Sequence, residues 1–351
     1  MKTIKLLHIL FFGLLIFQSC TKDEEIVSLA SYENGFFIPN EGNFGRDEGE
    51  VTFISNDLQT VKQDVFKSEN NGAVLGNVLQ SIAIYQDKAY LVVNSSNKIE
   101  VVDRKTFKKI ATINSQLNNP RYIAFANGKG YVTNWGAGSN PNDDYVAVLN
   151  LSTNTVDSTI PVVEGPEKIE SYNNNLYVAH QGGLNFNDKI SVINSSNNSV
   201  STIGVGDVPK DMAVYNNQLF VLCSGKESYH SGGKTDGNLN VINLLNNSVS
   251  TLKPFTDSKP SQMALSGNEL FYTQGKKVFK ANLSSTTFST QEIISSALAI
   301  PYGFNVDANR IYFLDAVDYA GSFGKVYIYT KQGSLVTTKD AGLYPNGISF
   351  N

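Results

Sequence analysis

Histidine, cysteine, methionine and tryptophan are scarce in this 351-residue chain, which holds three, two, three and one of them. The cysteines are Cys20 and Cys223; with Cys20 at the edge of the leader, no internal disulfide framework is available to the body of the protein. Beyond residue 20 the only histidines are His180 and His230, on separate segments without HExxH or Cys/His ligand spacing, so no zinc centre is expected. A G-x-S-x-G elbow, a phosphate-cradling glycine loop and a dinucleotide fingerprint are also missing. The loop carboxylates Asp143, Asp144, Asp188, Asp315 and Asp318 could form an oxygen-ligand calcium site but lack EF-hand spacing, so most are expected to be solvated turn residues. There is no excess of basic residues: the net charge of -4 argues against nucleic acid as a partner. Neither a cofactor nor an enzymatic activity is expected. The one enzymatic alternative is a metal-dependent lactonase, which needs inward carboxylates and amides such as Glu167, Asp211 and Asn346.

The one sustained apolar run, Leu6 to Phe17, follows Lys2 and Lys5 and ends at Ser19-Cys20. A spanning helix needs roughly 20 apolar residues, so this run is too short and reads as a signal peptide over residues 1–19. Cys20 falls where lipoprotein processing leaves a lipid-carrying first residue, although Phe17 stands where leucine is preferred. A plain secretory signal with an incidental cysteine is the alternative. Residues 20–34 then form a tether opening with "TKDEE", similar to the export tag of surface-displayed Bacteroidetes lipoproteins. The expectation is a lipid-anchored outer-membrane protein facing the cell exterior.

What the chain has in quantity is a repeat. Counting from Pro120, apolar residues stand at +3 (Ile123), +5 (Phe125), +11 (Tyr131) and +12 (Val132). The register returns at Pro166 (Ile169, Tyr177, Val178), Pro209 (Met212, Val214, Phe220, Val221), Pro260 (Met263, Leu265, Phe271, Tyr272) and Pro301 (Phe304, Val306, Tyr312, Phe313). Leu79 replaces the proline in an earlier copy, with Ile82, Ile84, Tyr90 and Leu91. Each set crosses an Asn, Gly or Asp turn and is followed by a second hairpin such as "KISVINSSNNSVSTI", so each repeat supplies four antiparallel strands. From Leu79 to Pro345 the anchors lie 41 to 51 residues apart, the spacing of propeller blades.

The last anchor opens "PNGISFN" and the chain stops. The missing three strands are at the other end, in "NGFFIPN", with Phe37 in the +11 role, and in the hairpin "EVTFISNDLQTVKQDVF". The expected fold over residues 35–351 is therefore all-β: a seven-bladed β-propeller of four-stranded antiparallel blades. Its last blade is closed by the C-terminal inner strand, with Ile348 and Phe350 turned into the sheet, plus the three N-terminal strands.

The tetrapeptide "YVTN" at Tyr131 to Asn134 makes the chain similar to the YVTN family of propeller repeats over essentially all of residues 35–351. The stretches "NEGNFG", "LGNVLQSIAIY" and "NNPRYIAFANGKGYVTNWG" resemble the Bacteroidetes surface lipoprotein group of cobalamin-capturing BtuG proteins. That resemblance implies a cobamide ligand and a TonB-dependent outer-membrane transporter as partner.

A ligand is expected on the face carrying the long second-to-third strand connections, whose aromatics Phe44, Trp135, Phe186, Tyr229, Tyr319 and Phe323 exceed what a solvated loop needs. His180 borders one of these loops and is a further candidate. Residues one and two past each anchor begin the inner strands and should ring the channel mouth: Gln80, Arg121, Tyr122, Glu167, Lys168, Lys210, Asp211, Ser261, Gln262, Tyr302 and Asn346. Three basic against two acidic residues make this ring slightly positive, which favours a nearly neutral cobamide over an anionic siderophore. A protein-interaction scaffold with no small ligand is the third reading.

Overall fold

The computed structural model describes residues 31–351 and contains seven four-stranded antiparallel sheets. The expected signal peptide and the expected lipidation site Cys20 lie outside the described residues. The chain begins with β1 (Gly35–Asn40), β2 (Glu50–Ser55) and β3 (Val61–Lys62), followed by α1 (Val65–Glu69). Inner strands β4 (Leu79–Tyr85), β8 (Pro120–Ala126), β12 (Pro166–Tyr172), β16 (Pro209–Tyr215), β20 (Pro260–Ser266) and β24 (Pro301–Val306) each open a consecutive blade. The terminal strand β28 (Ser349–Phe350) joins β1, giving the seventh sheet the order β28-β1-β2-β3.

The second and third strands of each blade are buried almost continuously, because neighbouring blades cover both faces of every sheet. "QLFVLC" at Gln218–Cys223 is buried at every residue after the first, whereas the fourth strand Val200–Gly204 is nearly all exposed. The +11 position supplies large buried side chains: Tyr90, Tyr131, Tyr177, Phe220, Phe271 and Tyr312 are among those with essentially no exposed surface. Apolar clusters form between blades, as where Ala124, Tyr131 and Val146 of one meet Ile169, Leu176 and Val178 of the next.

The anchor residue pairs with the last residue of the second strand: Pro120 with Asn134, Pro166 with His180, Pro301 with Asp315. In six blades the register then slips within three residues of the anchor. Proline suits this place, since a strand's first residue needs no ladder N–H. The irregularity has a consequence at the mouth. On a regular strand, side chains +1 and +2 point to opposite faces; a bulge re-aims them, and both reach the channel.

Closure rests on more than the two paired residues of β28. Asn346 N–H donates to Pro39 O, and Asn351 N–H to Gly35 O. Ile348 is buried among Phe36, Ile38, Tyr312 and Leu314. Phe350 meets the rings of Phe36 and Tyr312 yet keeps 37% of its surface exposed, so it caps the sheet instead of entering it.

Two boundaries differ from expectation. Tyr32, assigned to the tether, is 2% exposed, packs edge-on to Phe53 and donates its hydroxyl to Glu69 Oε1 at 2.7 Å. The predicted hairpin through Phe66 ends at Lys62: Asp64 adopts φ 52°, and Val65 and Phe66 are buried on a helical turn. Strand alternation and one helical turn are indistinguishable over so short an apolar run.

Candidate functional site

All eleven residues expected at the channel mouth line one central well of about 420 Å³, together with Glu41, Gln181 and parts of the inner strands. Beside it lies a groove of about 580 Å³ formed by Glu41, Gly42, Asn43, Phe44, Val78, Gln80, Asn94, Arg121, Tyr302, Tyr319 and Tyr344. Well and groove share Glu41, Gln80, Arg121 and Tyr302 and make one two-part site on the long-loop face.

The charges of the well are paired in layers. Arg121 donates from Nε and Nη2 to the two carboxylate oxygens of Glu167 at 2.9 and 2.8 Å, and its guanidinium lies 4.2 Å from the Trp135 ring centre. Trp135 is held by its indole N–H, which donates to Pro166 O at 3.0 Å. One blade on, Lys168 Nζ sits 4.2 Å over the Tyr122 ring and 4.0 Å from Asp211 Oδ1. Asp211 also accepts the N–H groups of Met212 and Met263, linking adjacent inner strands. Both cations are thus held between an aromatic face and a carboxylate.

Glu41 is the third carboxylate of the well. It accepts the Tyr302 hydroxyl at 2.6 Å and the Asn346 amide at 3.0 Å. Burial first, then the adjacent Glu41 charge, raise the Tyr302 phenol well above its ordinary range, so it remains a donor. With Glu41 counted, three basic residues face three acidic ones. This corrects the slightly positive ring expected from sequence: only Lys210, exposed and without an ion pair among the described residues, keeps an uncompensated cation.

Several mouth residues also join one blade to the next. Asn346 Nδ2 donates to Leu79 O and Gln80 O, Gln262 Nε2 to Tyr302 O, and Gln80 Nε2 to the Tyr122 hydroxyl. The groove is apolar on one side: Tyr319, 71% exposed, stacks at 22° on Tyr344, which in turn approaches Tyr302. Phe44, 77% exposed, lies on the same lining.

The other candidates separate from this site. His180 ends its strand opposite Pro166, with no exposed surface and its Nε2 at 2.8 Å from Ser191 Oγ. It takes the place that Asn134 and Asp315 take in other blades, so the expected ligand contact is corrected to a core role. Burial holds its imidazole down, to about 3, against the Glu164 and Val163 backbone. Phe186 is half-buried under Lys226 at 4.4 Å and beside His230, while Tyr229 lies against His230; neither lines the well or groove. Trp135 acts through Arg121, and Phe323 lines a third cavity with Glu50. Glu41 and Tyr344 were missed from sequence; Tyr344 directly precedes the anchor Pro345, a position the repeat could have flagged.

Residues 34–344 match the family described as Domain of unknown function (DUF5074), and the chain belongs to that family. No match was found among curated protein sequences. Solved structures of similar fold include a quinoprotein alcohol dehydrogenase-like protein from Bacteroides thetaiotaomicron. It shows 15% identity and a TM-score of 0.66, covering 91% of this chain and 79% of that one. A Bacteroides uniformis protein provisionally assigned as a 6-phosphogluconolactonase shows 13% identity and a TM-score of 0.62, covering 90% and 99%. The Pan2 WD40 domain of Neurospora crassa shows 10% identity and a TM-score of 0.59, covering 82% and 84%. At these identities the likeness is one of fold alone.

Proposed function

We propose that this DUF5074 propeller captures an uncharged small molecule in the two-part site and passes it on unchanged, without covalent chemistry. The observation that carries this reading is the neutralised mouth beside an aromatic groove. Arg121 is already hydrogen-bonded to Glu167 and Lys168 lies 4.0 Å from Asp211, while Phe44, Tyr319 and Tyr344 offer apolar area next to the amides of Asn43, Gln80 and Asn94. Such a surface suits a large, nearly neutral ligand with ring edges and scattered amides. By the resemblance of its repeat segments, the first candidate is a cobamide. The receiving partner is then a TonB-dependent transporter, with Cys20 as the lipid anchor at the outer membrane's exterior.

A ferric catecholate siderophore is disfavoured, since Lys210 alone would meet its charge. Equilibrium titration of the purified protein with cobalamin and with a ferric catecholate siderophore tests the reading. Cobalamin binding that weakens at least about tenfold in Tyr319→Ser supports it; a tenfold change corresponds to about 1.4 kcal/mol. Tight binding of the siderophore alone replaces the ligand. Binding of neither leaves the long-loop face as a protein-interaction surface.

A further inference from the structure

The tyrosines of the groove form a row that begins at a carboxylate. Tyr302 donates its hydroxyl to Glu41 Oε2 at 2.6 Å, its ring centre lies 5.8 Å from that of Tyr344, and Tyr344 lies 6.2 Å from Tyr319. Phe44 shares the lining, and both Phe44 and Tyr319 leave most of their surface open to solvent.

Glu41 is half-buried and lines both the groove and the well. Its other oxygen, Oε1, accepts the Asn346 amide at 3.0 Å. Both of its partners are neutral, and no cationic side chain forms an ion pair with it among the described residues. The one cation on the groove lining is Arg121, which already gives two hydrogen bonds to Glu167 and lies against the Trp135 ring. Arg121, Glu167 and Glu41 together therefore leave one negative charge. The loops on either side add to it: Asp47 and Glu48 outweigh Arg46 on one, and Asp318 directly precedes Tyr319 on the other.

An aromatic face is the negative part of a ring's quadrupole, so the tyrosine row and the carboxylate favour the same sign of charge. A single carboxylate supplies too few ligands for a hard metal ion. An alkylated ammonium fits better, because its methyl groups lose water against the rings while its charge still meets the carboxylate. We propose that the groove holds the alkylated ammonium group of a small ligand, against the rings of Tyr302, Tyr319 and Tyr344 and with its charge toward Glu41. This deepens the capture reading and rests on it for the use of the same groove: a ligand that is uncharged overall and places a cation here is a zwitterion. Its anionic group would then turn toward Lys210, the uncompensated cation of the well. Lys210 is carried by β16, which lies across the ring from β28 and the Glu41 blade, with β4, β8 and β12 between them on one side and β20 and β24 on the other.

The test is titration of the full-length protein with choline chloride, by calorimetry and saturation-transfer NMR, beside the uncharged isostere in which carbon replaces the quaternary nitrogen. Sodium chloride at equal ionic strength is the control. Saturable choline binding is expected with a dissociation constant on the order of a few millimolar, as suits so small a ligand, and the isostere should bind at least about fivefold more weakly. Glu41→Gln keeps the acceptor for Tyr302 and should weaken choline at least about fivefold. Tyr319→Leu, at an exposed position that should not disturb folding, keeps apolar area but removes a ring face and should weaken choline about threefold. Neither variant should alter what the isostere does. Absence of saturable choline binding up to about 50 mM, well above the expected range, equal binding of the isostere, or unchanged choline affinity in both variants overturns the proposal. Cosedimentation with phosphatidylcholine vesicles would assign the cation to a lipid headgroup and its absence to a soluble ligand; both uphold the subsite. Cobalamin is titrated separately, so its failure to bind would remove the first candidate ligand and leave the choline result standing.

Discussion

Replacing Glu167 by glutamine tests the electrostatic basis of the site. The carboxylate is 7% exposed and the Arg121 side chain 15%, and two charge-assisted hydrogen bonds of 2.9 and 2.8 Å join them. At about 4 Å between charge centres and an effective dielectric near 20, the Coulomb attraction is about 4 kcal/mol. Glutamine still accepts one of the two bonds, and water from the adjoining well reaches the guanidinium, so roughly half of that should be lost. The expected destabilisation is about 2 kcal/mol, below the roughly 3–5 kcal/mol for breaking a fully buried pair, because this one borders a water-filled well. At about 2 °C per kcal/mol for a chain of this size, the melting temperature should fall by about 4 °C.

The double variant Arg121→Met with Glu167→Gln should recover at least about 1.5 kcal/mol of this loss, because the stranded charge is gone while the aliphatic stem still covers Trp135. Glu167→Gln alone should also raise affinity for an anionic ferric catecholate by about tenfold, equivalent to about 1.4 kcal/mol, and leave an uncharged ligand nearly unaffected. Denaturant titration of the two single variants and the double gives the coupling energy. Additive effects, or a single-variant loss below about 0.5 kcal/mol, would mean that water already screens Arg121. The mouth would then not be neutral in effect, and the preference for an uncharged ligand would lose its physical basis.

His180→Asn probes the core role through pH. The folded imidazole is held near 3 against about 6.5 when unfolded, so it contributes nothing above pH 6.5 and costs stability as pH falls from 6.5 toward 3, up to about 1.4 kcal/mol per unit. The variant's melting temperature should decline less steeply than wild type between pH 7.5 and about 5; parallel curves would refute the assignment. Deleting residues 346–351 removes Ile348 from its cluster and Asn346 from its three acceptors, exposing the β1 edge. Limited proteolysis should then cut the seventh blade first, and a wild-type digestion pattern would count against closure at this sheet.

The fold was legible because one physical constraint repeats. A blade covered on both faces needs apolar second and third strands, and the +11 and +12 positions from Tyr90 to Phe313 meet that need in every copy. The tether boundary and α1 were not legible, because both depend on long-range contacts. Tyr32 is buried by Phe53, Phe107 and Glu69, all distant in sequence, and no local pattern announces them.

The site was legible in position more than in charge. Knowing where inner strands begin was enough to identify the well, because the slip after each anchor turns two successive side chains into the channel. Counting charges failed for a geometric reason: Glu41 belongs to a loop after a second strand, outside the anchor register, and reaches the mouth only because Asn346 and Tyr302 hold it there. Loop aromatics divide by the same reasoning. Phe44 and Tyr319 sit on loops flanking the closure, where Tyr344 gives them a floor, whereas Phe186 and Tyr229 find His230 and Lys226 instead. The groove therefore lies beside the blade that the two chain ends build together, so an altered closure should reshape the groove before it changes the other six blades.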